Sequence, residues 1–301
     1  MTLDDFITRV FCLTDDFLAD YLEKTGPLRQ RGPEPTVPDS VVLTCELVGE
    51  FLSKDTDSGI FTYFRRHHSG LFPELLEVHR TTFGRQASNL WKMKERLQAR
   101  LHRQIDKDPF VSITDSFPVP VCRFARAYRC RRLAPEAAYG HDAMQKQTFY
   151  GLRGHVAVTW PGVIRTAELA PANTHDTEMA PHVLYGAKGW ALADSNYWSP
   201  DLFERLEKGS LSLLAAPSKS KKEGTKEHKG RWSGLLTRMR RRVETVIGQL
   251  TGRFNAKKVW AMDRWHAWNR WIRKVTSHTM AILLCRHEGL PPLRFAELID
   301  R

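Results

Sequence analysis

Three acidic residues stand where chemistry could be placed. Asp115 lies in FVSITDSFPVPVCR, Asp194 in ALADSNYWS and Glu244 in RMRRRVETVIGQL. Val111 and Ile113 alternate with Ser112 and Thr114, the pattern of a half-buried strand. Asp115 then falls where the run meets two prolines, so the strand is expected to end there. Asp194 follows an apolar run in the same manner. Glu244 sits beside a helical stripe of Leu236, Met239, Val243, Val246 and Leu250, about 100° round from Val243. Gly248 leaves open space one turn on, and Arg240 and Arg241 lie one turn before. Singly, each acid has an ordinary reading as a turn, cap or surface residue. As a set they suit phosphodiester chemistry, in which two divalent cations about 3.5–4 Å apart are held by oxygen ligands. Magnesium favours such hard carboxylates and keeps several of its waters.

The elements that must position these acids come in a definite order. Up to Ile105 the pattern is helical: LDDFITRVFCLTDDFLADYL, then a GPLRQRGPEPTVP linker, then SVVLTCELVGEFLSK capped by Asp39 or Ser40. A shorter helix near GIFTYFRRHH and a long one, ASNLWKMKERLQARLHRQI, follow. After DKDP the period turns extended. Strands are expected at FVSIT, TFYGLRGHVAVTW, GVIRTAELAPA, GWALADSN and LSLLAAPS, and helices at HDTEMAPHVL and SPDLFERLEK. A basic run, SKSKKEGTKEHKGR, is expected as a surface loop before the long helix that carries Glu244. A Trp-rich helix closes the chain. Three strands, helix, strand, helix, strand, helix is the order of an α/β, RNase H-like mixed sheet flanked by helices. The expected domains are therefore an all-helical part at 1–108, whose short helices with basic patches suit a DNA-binding part and a plain helical bundle almost equally, and an RNase H-like part with C-terminal helices at 109–301.

Composition narrows the class. The 301 residues carry 42% apolar residues and a net charge of +12, which fits a globular chain with a sizeable core. Residues 219–274 hold 17 Lys and Arg against 4 Asp and Glu, a balance of 17 − 4 = +13, leaving 12 − 13 = −1 elsewhere. A segmental excess of this kind marks a polyanion partner, because phosphate contacts release counterions. Arg240, Arg241, Lys257 and Lys258 are the candidate DNA-binding residues. The longest apolar run, MAILLC, is far short of a membrane span. Five cysteines without a C-x-x-C pair argue against a disulfide framework or structural zinc. Acids near the N-terminus do not read as a signal peptide. A cytoplasmic, nucleoid-associated protein is expected.

ITDSFPVPVCR…RCRR, KQTFYGLRGHVAV, LAPANTHDT, ALADSNYWS and RRRVETVIGQL, in this order, resemble the DDE transposases of bacterial insertion sequences. The resemblance is to the subgroup whose first strand runs into Asp-Ser-x-Pro, and it covers Phe110 to about Phe254. It implies a catalytic, metal-binding triad of Asp115, Asp194 and Glu244, 79 and 50 residues apart. It also implies two Mg²⁺ ions, for which Mn²⁺ substitutes, and DNA partners in the form of terminal inverted repeats and target DNA. Cleavage and strand transfer are the implied reactions, and handling two ends together implies a homodimer on DNA. Ser195, Asn196 and Tyr197 replace the Lys-Gly-Tyr run usual after the second Asp, and Arg238 and Thr251 stand near places where relatives often have Tyr and Lys. The alternatives are a non-catalytic DNA-binding protein on the same fold and a nuclease limited to hydrolysis.

Other residues point elsewhere more weakly. His67 and His68 are adjacent and face apart, and His175 next to Asp176 suits a supporting role beside a metal. GLRGHVAV lacks the ending of a phosphate loop. Cys122 has no partner for nucleophilic catalysis in any recognisable order. Trp260, Trp265, Trp268 and Trp271 read as core and helix-packing residues, with base stacking as the alternative use.

Overall fold

The computed structural model describes residues 1–105, 107–142, 145–215 and 231–300, with side chains from 237 onward in the last stretch. The expected basic loop at 218–230 and the side chain of Leu236 lie outside the described residues. The chain divides into two compact units. One comprises Met1–Gln104, Gly252–Asn255 and Trp265–Arg301, the other Ile105–Thr251 and Ala256–Arg264. The first break falls close to the expected boundary at 108, but the C-terminal helix groups with the N-terminal residues.

Among the described residues the first unit is helical: α1 (Leu3–Thr25), α2 (Asp39–Phe51), α3 (Asp57–His67), α4 (Arg80–Asn89), α5 (Trp91–Gln104) and α9 (Arg264–His287). The long helix expected across 87–105 is broken at Leu90, which caps α4 before α5 begins. Pro38 is the N-cap position of α2 and offers no side-chain bond. Asp39 is instead held by Arg29, at 2.6 and 2.7 Å, and by Gln86. α2 and α9 are buried on nearly every side, so their polar residues must be satisfied inside. Lys94 pairs with Glu46 at 2.6 Å, Arg273 with Glu46 at 3.0 Å and with Glu50 at 2.7 Å, and Lys274 with Glu50 at 2.7 Å. Arg273 and Arg270 also hold Asp57 well below the carboxylate range despite its burial. Arg273 and Lys274 thus belong to a buried ionic network, and the basic block read from sequence as phosphate-binding does not extend to them.

The second unit is built on a six-stranded mixed sheet: β1 (Val111–Pro120), β2 (Ala138–Asp142), β3 (Gln147–Thr159), β4 (Val163–Pro171), β5 (Gly189–Ala193) and β6 (Leu211–Ala215). β3 pairs antiparallel with β1, β2 and β4, while β5 runs parallel to β1 and β6 parallel to β5. The path is β2-β3-β1-β5-β6, with β4 also on β3. α6 (Asp176–Val183), α7 (Pro200–Glu207) and α8 (Arg231–Gly252) complete the unit. Ala191, Ala193, Leu211 and Leu213 pack with Ala180, Val183, Leu202 and Leu206 in one apolar cluster between sheet and helices. Gly189 opens β5 with φ +81°, and a Cβ there would stand 2.5 Å from the Phe110 carbonyl. Only glycine lets β5 lie this close to the start of β1.

β1 does not end at Asp115, contrary to the sequence reading; it continues to Pro120 paired with β3. The Val121 N–H donates to the Tyr150 carbonyl. By the two-residue period, the nitrogens of Pro118 and Pro120 then point to the opposite edge. β5 has no residue paired beyond Ile113 of β1, so the prolines cost the sheet no hydrogen bond.

Candidate active site

The parallel pairing of β1 and β5 sets Ile113 opposite Leu192. Continuing that register by two places brings Asp115 and Asp194 side by side on one face of the sheet. Asp115 Oδ1 accepts the Ser116 N–H at 2.8 Å. Asp194 is the N-cap of a 3₁₀ turn, Ser195–Tyr197, and its Oδ1 accepts the Asn196 N–H at 2.9 Å. Each carboxylate is fixed by backbone on one oxygen.

Burial pushes the Asp115 carboxyl up to about 6; the Ser116 N–H and Arg240 oppose this, while the charges of Asp194 and Asp176 add to it. The Asp194 carboxyl is raised too, chiefly by burial, with the Asn196 N–H and Arg240 opposing and Asp176 adding. Arg240, on α8, is therefore the cation facing both acids. Its Nε is buried without a hydrogen-bond partner, so the side chain is held by charge more than by directed bonds.

Asp176, first residue of α6, is the third acid of this electrostatic cluster and is only 6% exposed. Its Oδ1 lies 3.5 Å from His155 Nδ1 on β3. Burial lowers the His155 ring to about 4, with Asp176 opposing and Arg153 adding. The imidazole is thus neutral at neutral pH and the contact is not an ion pair. At 3.5 Å it is also too long for a hydrogen bond, and Asp176 Oδ1 and both His155 nitrogens have no bonded partner. Tyr197 lies buried beneath the acids, its hydroxyl pushed well above its ordinary value by burial and then by Asp176. Asp176 and Asn196 open onto a cleft of about 590 Å³ that His141, Asn173 and Arg153 also line.

Glu244 is placed differently. Val243, Val246 and Leu250 are buried as the stripe requires, and Glu244 is exposed. It stands four residues after Arg240, about 40° round the helix. Among the described residues no group of three His, Cys, Asp or Glu converges closely enough to hold a metal ion. Asp115 and Asp194 fit a hard divalent cation as a pair, since both are desolvated, raised and mutually repelling, but the third ligand is not closed on them.

The DNA-binding candidates are not brought together either. Arg240 faces the acids, Arg241 is exposed on α8, and Lys257 and Lys258 line a separate cleft. Sequence reasoning missed Asp176 and His155 as parts of the site. The signal for Asp176 is the HDT start of α6, where His175 Nδ1 accepts the Thr177 N–H at 3.3 Å and the next residue is turned inward. Trp271 is buried as expected, but Trp260 and Trp265 are 48% and 39% exposed and are not core residues.

The mixed sheet thus sets two raised carboxylates side by side, with an arginine against them. Residues 106–257 match the family model described as the transposase DDE domain. The chain belongs to that family of transposases. No curated protein sequence matches it. Among solved structures it is similar to a piggyBac transposase in a synaptic complex with hairpin DNA, determined by cryo-EM. Identity there is 9% and the TM-score 0.49, over 98% of this chain and 76% of that one.

Proposed function

We propose that this chain is the transposase of a bacterial insertion sequence. It binds the terminal inverted repeats of its element, cleaves DNA with Mg²⁺ and transfers the freed strand to target DNA, as a homodimer. The sheet is read as an RNase H-like catalytic unit and the helical unit as a DNA-binding part. The observation that carries the reading is the register that aligns Asp115 with Asp194, together with the raised protonation of both. Such a pair is costly to a protein unless a cation is to be bound there.

In this reading Asp115 and Asp194 would hold the ions, and Glu244, one turn beyond Arg240 on the same side of α8, would be the third ligand. Bound Mg²⁺ supplies activation of the attacking oxygen and neutralisation of the leaving one; Mn²⁺ substitutes for it. The chain's own residues do the rest. Ser116 and Asn196 aim the carboxylate oxygens through their N–H groups. Arg240 offsets the acids' repulsion and would be available to meet a phosphate. Arg241, Lys257 and Lys258 contact the DNA backbone.

The open position of Glu244 is the observation in favour of a second reading, a non-catalytic DNA-binding protein on the same fold. Incubating the protein with labelled DNA from the ends flanking its own gene separates them. Mg²⁺-dependent nicking and joining is the expected result. Retained binding without any cut supports the second reading, and cutting without joining a nuclease limited to hydrolysis.

A further inference from the structure

The segment between β1 and β2 reads RFARAYRCRR from Arg123 to Arg132. Its middle, Phe124–Arg129, is a 3₁₀ turn with Arg123 at the N-cap position. With three residues per turn, positions i, i+3 and i+6 stack in one column, about 6 Å apart. Arg123, Arg126 and Arg129 form such a column, and all three are exposed. Ala127, in the next column, is buried and seats the turn. The Leu133 N–H donates to the Met262 carbonyl at 2.9 Å, tying the end of this segment to the stretch that carries Lys257, Lys258 and Trp260. Between the two opens a cleft of about 1240 Å³, lined by the five arginines from 123 to 132 and by both lysines. No acid lines it among the described residues. Five arginines gathered on a cleft that no acid lines favour an anion of several charges.

We propose that this cleft holds one unpaired DNA strand near the cut, its phosphates on the arginine column and a base against the Trp260 ring. Two features favour a single strand over a duplex. The column's repeat is close to the spacing of successive phosphates along a stretched strand. A half-exposed tryptophan offers a π-face that only an unstacked base can use. The cleft begins at Pro120, five residues along β1 from Asp115, or about 17 Å. That places the strand within a few nucleotides of the acids. The proposal rests on the transposase reading only for the source of the strand.

The test uses an oligothymidine strand and a blunt duplex of equal length, both lacking the inverted repeat, in EDTA with the Asp115→Asn protein. Binding is then read apart from cutting. Changing Arg123, Arg126 and Arg129 together to Gln should make the log K against log salt slope shallower by about 2, at roughly 0.7 per phosphate contact on a single strand. Changing all three to Lys should keep the slope. Trp260→Ala should weaken single-strand binding roughly five- to 150-fold, the range of base stacking on an aromatic ring, and leave duplex binding alone; Trp260→Phe should restore most of it. An unchanged slope in a Gln variant with a normal melting curve overturns the proposal. So does equal loss of duplex and single-strand binding on Trp260→Ala. Failure of the wild type to cut any DNA would defeat the catalytic reading and leave these binding results standing.

Discussion

Replacing Asp115 by asparagine removes a charge that the fold holds at a cost. The carboxyl titrates near 6 in the folded chain against an ordinary value of 3.8. Between these values the folded state binds more protons than the unfolded one, so stability falls as pH rises through that window. The full difference, 6 − 3.8 = 2.2, corresponds to ~3 kcal/mol. It is an upper bound, because Asp194 and Asp176 relax when Asp115 loses its charge. Asn keeps the bond from the Ser116 N–H, so shape is conserved. In metal-free buffer the variant should match the wild type near pH 4 and exceed it by about 1–3 kcal/mol at pH 7. Urea unfolding from pH 4 to pH 8 with EDTA is the assay. Added Mg²⁺ should stabilise the wild type and not the variant. A variant less stable than wild type at pH 7, or a gap that does not change with pH, would refute the electrostatic account and leave Asp115 a turn residue.

Arg240→Gln takes away the cation that holds Asp115 and Asp194 down, so both carboxyls should titrate higher still in ¹³C NMR; unchanged values would place Arg240 away from the site. Arg273→Met should cost about 3–5 kcal/mol in denaturant unfolding, because Glu46 and Glu50 stay buried with too few partners. Losing the exposed Lys208–Glu204 pair should cost far less, and equal costs would contradict the burial argument. The His155 ring, held near 4 instead of 6.5, binds fewer protons folded than unfolded. It contributes stability that is lost as pH falls from 6.5 towards 4, and His155→Gln should flatten that acid limb in the same unfolding series.

Much of the sheet was legible because its strands are short, apolar-rich extended runs bounded by turn signals. β3, β4, β5 and β6 lie over the stretches expected as strands, β1 runs on past its expected end, and the buried stripe of α8 follows its three-four spacing. β2 was not legible: AYGHD has no apolar alternation, and its pairing comes from β3. Asp115 was read as a strand end because proline in a strand interior is normally excluded, but an unpaired edge removes the objection. The ionic network of α2, α5 and α9 was hidden for a related reason. Lys and Arg read as solvent-facing in sequence, and only the packing of helices buried on nearly every side reveals partners far along the chain. For the site, the two aspartates could be found from their strand context. Asp176 could not, since its inward turn depends on the start of α6 against β3.

The most direct test of the central assignment is a change of metal preference. Asp115→Cys and Asp194→Cys each put a soft sulfur where a hard oxygen is claimed to bind the ion. Cleavage of labelled end DNA by either variant should be lost in Mg²⁺ and recovered in part in Mn²⁺, while the wild type cuts in both. A cysteine variant that cuts at the wild-type rate in Mg²⁺ would contradict the claim that these two aspartates hold the metal.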